Sequence, residues 1–252
     1  PGGPSLDDPK QVEIANPSYP HRTPPVAVAR LRKNMPDDAS WRREGLGVYD
    51  DAVLDPAVIS REQWTARGVV EAPSEGVPSY GVKFSPDGAT VALSAARKTP
   101  EGTIHVELIE RRSMGSGTAW LVEWLTERWR QAAQIVVDGK AHAGNLVNAL
   151  RAAGVGPKVI VTPTTEQVTT AHSMLLDAVK LGTVTNLAHP GQDTLVDSIA
   201  ASGWREIGKT GGWGFRPLGD GECTSAESAV MAHWGAATSK RRPGRKQRVV
   251  VG

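Results

Sequence analysis

Gln134-Ile135-Val136-Val137-Asp138 is the segment on which the reading of the fold turns. It is short, almost wholly apolar and rich in β-branched residues, and it ends on a carboxylate. An unbroken apolar run of this kind is what a central strand covered on both faces requires. Upstream, the pattern is different. Tyr80 to Ser85 reads as a short strand, Pro86-Asp87-Gly88 as a turn, and Thr90 to Ala96 as a second strand. After another turn over Thr99 to Gly102, Ile104, Val106 and Leu108 alternate with polar residues in a strand from Thr103 to Glu110. Three strands joined by tight turns make an antiparallel meander.

Between the meander and the central strand, Leu121, Leu125, Trp129 and Ala132 fall at helical spacing, with Trp120 and Trp124 beside them. Downstream, a helix is predicted over Gly144 to Ala153, ended by Gly154, followed by a second buried strand over Lys158 to Thr162. Thr164-Thr165-Glu166-Gln167 has the form of a capping box, opening a helix with Val168, Ala171, Leu175 and Ala178 on one face. Further helices are expected over Gln192 to Ser202 and Ser225 to Ala236. A meander followed by strand–helix–strand–helix predicts an α/β fold, a mixed sheet flanked by helices in the order of ribonuclease-H-like domains, over residues 76 to 236.

Residues 1 to 75 read as connective. Pro17, Pro20, Pro24, Pro25, Pro36 and Pro56 exclude long helices and central strands, leaving short helices around Val26 to Lys33 and Arg61 to Arg67. No core is expected there; the stretch reads as the exit from an upstream domain. Residues 237 to 252 form a basic tail. Lys240, Arg241, Arg242, Arg245, Lys246 and Arg248 carry six positive charges, and setting them aside from the net +2 leaves the rest at −4. A basic tail on an acidic body suits a polyanion or an acidic partner surface; a solvated tail that aids solubility is the alternative.

No run approaches the roughly 18 to 20 apolar residues of a membrane helix, and no signal peptide is visible at Pro1-Gly2-Gly3-Pro4. Cys223 is the single cysteine, which excludes an internal disulfide framework and a Cys-rich zinc site. An intracellular protein is expected.

Gly203-Trp204-Arg205-Glu206-Ile207-Gly208-Lys209-Thr210 matches the P-loop pattern letter for letter. That motif needs a strand before the loop and a helix after it, whose N-terminal amides meet the phosphates. Here the preceding segment has a helical pattern, and Gly211-Gly212-Trp213-Gly214 is a poor helix start. The segment is read instead as a hairpin-like connection.

Hard cations that assist phosphodiester cleavage take carboxylate ligands. Asp138 closes an apolar strand at its carboxyl end, where open α/β sheets place ligands; a turn residue before Gly139 is the bland alternative. Glu222 is the second candidate, with Asp220 beside it; both could equally be acids favoured at the start of the final helix by its dipole. The six histidines show no metal-ligand spacing.

Ala15-Asn16-Pro17 and Trp41-Arg42-Arg43-Glu44-Gly45-Leu46-Gly47-Val48-Tyr49-Asp50 resemble the segment joining the ATPase and nuclease domains of phage large terminases. Asn186-Leu187-Ala188-His189, Asp193 to Ala200, Gly212-Trp213-Gly214-Phe215 and Glu222 to Trp234 resemble the later part of that nuclease, in the same order. The branch it looks like is that of actinobacterial phages or prophages. The resemblance implies an endonuclease that uses two Mg²⁺ or Mn²⁺ ions to cut concatemeric viral double-stranded DNA by phosphodiester hydrolysis in the host cytoplasm. The terminase small subunit and the portal would be its partners, and no membrane is involved. It also implies three acids. Asp138 matches the one ending the fourth strand and Glu222 the one before the last helix. The first-strand position is Lys83, which cannot ligate a metal; Asp87 shares its strand parity and is the candidate to serve in its place, though about 13 Å further on, only if the turn curls back towards the cleft. Either Lys83 contacts a phosphate in a rearranged site, with Lys140, Arg241, Arg242, Arg245 and Lys246 as further DNA contacts, or the chain is a non-catalytic module binding DNA or the portal. No credible Walker pair is present, so the chain would be a fragment of a longer protein or a separately made domain.

Overall fold

The structure, a computed structural model, describes residue 6 and residues 8–35, 38–47, 56–139, 142–208 and 211–243. The chain divides into two units, Pro1–Asp55 and Pro56–Gly252. Among its described residues the first holds three short helices, α1 (Pro9–Ala15), α2 (Pro25–Asn34) and α3 (Asp38–Glu44). Prolines open two of them, at the first turn where no amide hydrogen bond is lost. Val12, Trp41 and Leu46 form a small buried cluster within it, and the Trp41 indole N–H donates to the Leu6 carbonyl at 2.8 Å.

The second unit opens with α4 (Arg61–Thr65) and the two-residue β1 (Gly68–Val69). The meander follows as β2 (Val77–Phe84), β3 (Thr90–Lys98) and β4 (Ile104–Ser113), then α5 (Ala119–Arg128), β5 (Ile135–Asp138), α6 (Ala143–Ala152) and β6 (Ile160–Val161). The chain continues through α7 (Thr165–Leu181), β7 (Val184–Leu187) and α8 (Asp193–Ala200), then the hairpin β8 (Ser202–Ile207) and β9 (Gly212–Pro217), and α9 (Thr224–Thr238). Seven strands form one sheet in the order β1-β7-β4-β3-β2-β5-β6. The meander pairs are antiparallel, and β5, β6, β7 and β1 join in parallel. The capping box of α7 is formed as the sequence implies: the Thr164 hydroxyl accepts from the Gln167 amide, and the Gln167 side chain accepts from the Thr164 amide.

Among the departures from the sequence reading are two that bear on the strands. The edge pair β1–β7 was not expected; β7 is four residues long and alternates buried with half-buried positions, too brief for its period to stand out. The predicted helix over Gln192 to Ser202 stops at Ala200, because Ser202 starts β8. Gly203 to Ile207, the front of the P-loop-like segment, is therefore hairpin strand, and a strand rather than a helix comes next.

The sheet carries a core on each face. Tyr80, Val82 and Phe84 of β2 pack with α5 and α6, among Leu121, Leu125, Leu146 and Leu150. The opposite face receives α4, α7, α8 and α9. Residues 224 to 236 of α9 are buried all round, so this helix runs through the interior rather than along the surface. Its side chains are mostly Ala, Ser and Gly, and it lies directly on β2. A Cβ on Gly81 would come within 2.1 Å of the Ser228 carbonyl oxygen, and the Ser94 and Ser228 hydroxyls meet at 2.7 Å.

Candidate active site

Strand parity sets the site. Because Tyr80, Val82 and Phe84 face α5 and α6, Ser79, Gly81 and Lys83 face α9. In the parallel pairing of β2 with β5, Lys83 stands opposite Asp138. Both strands end at this level, and Gly139 takes φ +119°, a backbone state that L side chains rarely adopt, as the chain turns away from the sheet. Glu227 comes down from the first turn of α9.

The Lys83 ammonium lies between the two acids, Nζ standing 2.6 Å from Asp138 Oδ2 and 3.2 Å from Glu227 Oε2. The three side chains are 11, 20 and 3% exposed respectively, so the contacts are made nearly out of water. Burial works against the lysine's charge, but Glu227 and Asp138 outweigh it and hold its pKa above the ordinary lysine range. Burial pushes the Glu227 carboxyl up, and Lys83 opposes that shift. Removing either partner would leave a buried charge uncompensated.

Around this triad the neighbours are neutral or cationic. His172 Nδ1 donates to the Val168 carbonyl at 2.8 Å, which leaves Nε2 as a lone pair, without a hydrogen bond, 4.0 Å from Glu227 Oε1. Burial holds His172 down at about 4, so it is neutral at pH 7. Arg205, from β8, brings Nη2 to 4.0 Å from the same oxygen. Cys223 is no nucleophile: burial first, then Glu227, pushes its thiol up to about 12. In front of the triad opens a cleft of about 600 Å³, lined by Lys83, Asp138, Thr162, Thr165, Arg205 and Ile207. The N-terminal turn of α7 and the β8–β9 hairpin wall it in.

The sequence candidates fall in different places. Asp138 is at the centre of the site. Glu222 serves the start of α9, where Oε2 accepts from the amides of Thr224 at 2.7 Å and Ser225 at 3.2 Å, with Arg111 Nε at 3.6 Å. Asp87 is held in the β2–β3 turn, its Oδ1 accepting from the Ser85 hydroxyl and the Ala89 amide. Lys83 is engaged by the two acids rather than turned to an exposed phosphate position. Arg241 donates from its guanidinium to the carbonyls of Trp129, Arg130 and Ala132, just beyond the end of α5, and Arg242 is exposed. Lys140, Arg245 and Lys246 lie outside the described residues. Sequence reasoning missed Glu227, although a signal was present: it is the only ionised side chain in the run Ser225-Ala226-Glu227-Ser228-Ala229-Val230-Met231-Ala232. A lone charge inside a run of small apolar residues calls for a buried partner.

As they stand, these residues do not fit a two-metal centre. Such a centre needs several carboxylate oxygens converging on ions about 4 Å apart. Here two carboxylates converge on an ammonium, and among the described residues no group of three or more His, Cys, Asp or Glu is placed to hold a metal ion.

The sheet order and the parallel extension beside the meander are those of a ribonuclease-H-like fold. No protein-family model matches the chain, and no curated protein matches it at a significant level. Among solved structures, it is similar to the large terminase of bacteriophage HK97, with 14% identity and a TM-score of 0.52 over 94% of this chain and 55% of that one. It is also similar to the large terminase nuclease of thermophilic phage G20c, with 17% identity and a TM-score of 0.50 over 70% of this chain and 97% of that one. The large terminase of a second thermophilic bacteriophage matches at 8% identity and a TM-score of 0.51, over 83% of this chain and 51% of that one. The chain thus spans about half the length of the two large terminases that it matches beyond the nuclease. At these identities the likeness is one of fold.

Proposed function

We propose that the unit from Pro56 onward is the nuclease-type domain of a viral DNA-packaging terminase, and that its cleft takes double-stranded DNA. Three features support this reading: the sequence resemblance, the fold shared with the G20c nuclease over nearly all of that chain, and the acids gathered where β2 and β5 end. On this reading the domain works in the host cytoplasm as part of a larger assembly, with the terminase small subunit and the portal as partners.

The observation that carries the chemistry is the position of Lys83 between Asp138 and Glu227. With the acids closed on an ammonium, the site holds DNA without cutting it, and the alternative of a binding module is the better account of this state. Arg205, beside the cleft, and the exposed Arg242 are the described cations suited to phosphate contacts, which position a duplex without reading its sequence. Incubation of supercoiled plasmid with Mn²⁺, alongside a gel-shift titration with the same DNA, tests this. Retarded DNA that stays supercoiled is expected, with the affinity falling steeply as salt rises. Nicking that disappears in Asp138→Asn would establish an active nuclease instead, and absence of any retardation would remove DNA from the proposal.

A further inference from the structure

We propose that Lys83 is the resident cation of this site: its ammonium stands where a divalent ion bridging Asp138 and Glu227 would stand, and so keeps such ions out. This rests on reading the cleft as nuclease-type, and it concerns only the occupant of the carboxylate pair. The geometry is specific. Nζ lies within hydrogen-bonding reach of one oxygen from each acid, at 2.6 and 3.2 Å. A magnesium ion would have to sit at about 2.0–2.1 Å from the same oxygens, inside the contact radius of the nitrogen. Ion and ammonium therefore exclude one another by volume as well as by charge.

The lysine is also fixed at its base. β2 is paired on both sides, antiparallel to β3 and parallel to β5, and Lys83 is in register with Ala92 on one side and Asp138 on the other. Its backbone cannot withdraw without breaking both ladders. Glu227 is fixed too, because α9 is buried along its length and lies on Gly81. His172 and Arg205 bring no further oxygen to the site. Two fixed carboxylates thus face one fixed ammonium, and replacing the ammonium with a group that bears no positive charge vacates a space already lined by the right donors. Lys83→Asp would add a third carboxylate between β3 and β5.

The test uses the whole chain as parent, Lys83→Asp, Lys83→Ala and Lys83→Asp/Asp138→Asn. Thermal unfolding is followed with Mn²⁺ or with EDTA, and Mn²⁺ binding is read directly from the loss of the free-ion electron paramagnetic signal. The parent is expected to bind no Mn²⁺ and to keep its Tm. Lys83→Asp should bind the ion and gain roughly 5–10 °C at a metal concentration about a hundredfold above Kd. Lys83→Ala should gain less, and the double variant should lose the gain. Should Lys83→Asp fold only with metal present, that too supports the proposal, and Lys83→Ala supplies the Tm comparison. An Mn²⁺ shift in the parent as large as in Lys83→Asp would overturn it, since the lysine would then yield to the ion. Folded variants that ignore Mn²⁺ would overturn it as well. Gel shifts in EDTA keep the two readings apart: variants that bind metal but no DNA would count against the proposed function alone.

Discussion

β2 shows two faces built on opposite principles. Toward α5 and α6 it presents Tyr80, Val82 and Phe84, bulky side chains that fill a conventional apolar core. Toward α9 it presents Ser79, Gly81 and Lys83, small or polar groups that let a helix approach closely and then hold a charged cluster at the strand end. One face contributes stability by apolar area, the other spends interior volume on positioning. The stability of the second face therefore rests on charge compensation and close backbone packing, which respond to different perturbations.

Phe84→Ala, on the apolar face, should give the largest effect. It empties a fully buried aromatic site and is expected to cost about 3–5 kcal/mol, independent of pH, in urea unfolding. On the other face, Lys83→Met keeps the volume and removes the counter-charge. A loss approaching about 3–5 kcal/mol is expected at pH 8. The sign follows from Glu227, whose folded pKa is already raised by burial and climbs further without the lysine. Such a group favours folding below its unfolded value near 4.5, and that benefit disappears as pH rises through the folded value. The deficit of Lys83→Met should accordingly shrink at pH 5; a deficit equal at both pH values would mean that packing, not charge, is what the lysine supplies. Through the lysine's own titration, the contribution of Lys83 in the parent is lost only as pH rises through its raised folded value, above the ordinary lysine range.

A smaller effect is expected at His233, on α9, which is buried and held at about 4 by desolvation, with no hydrogen bond to Nδ1. Its folded pKa is depressed, so the unfolded chain takes up the proton first and stability falls as pH drops from about 6.5 towards 4. His233→Gln should narrow the difference between urea stabilities at pH 7.5 and pH 5 by about 2 kcal/mol. The smallest effect belongs to Arg241→Ala, which strips the guanidinium from the carbonyls after α5. A loss of about 0.3–1 kcal/mol is expected, partly screened at high salt, with DNA affinity little changed. A strong loss of DNA binding in that variant would return Arg241 to the role its place in the basic tail suggested.

Much of the sheet and its covering helices was legible in the sequence because it is periodic or carries local signals. Alternation in the meander, the apolar run at Ile135 to Val137 and the capping box at Thr164 are local signals, and each forms the element it implies. The parallel edge pair β1–β7 was not legible, since its strands are too short to carry a period and their partners lie far off in the chain. The site divides in the same way. Asp138 announces itself by ending a buried strand. Glu227 shows only as a lone charge in an apolar run, and nothing near it in the chain says that β2 will place an ammonium beneath it. Proximity to the helix start drew attention to Glu222, whose carboxylate instead satisfies the free amides of the first turn.

Burial of α9 along its whole length also sets an order of events in synthesis. The sheet is made early and α9 is made last among the described elements, so the part of β2 and β3 that α9 covers stays wet until Thr224 to Thr238 leaves the ribosome. Until then Lys83 and Asp138 face water, where an ammonium and a carboxylate attract each other only weakly. The arrival of Glu227 both dries the pair and adds its third member. Assembly of the site is thus a late step tied to the making of α9, and until then Lys83 and Asp138 lack the third member of the cluster.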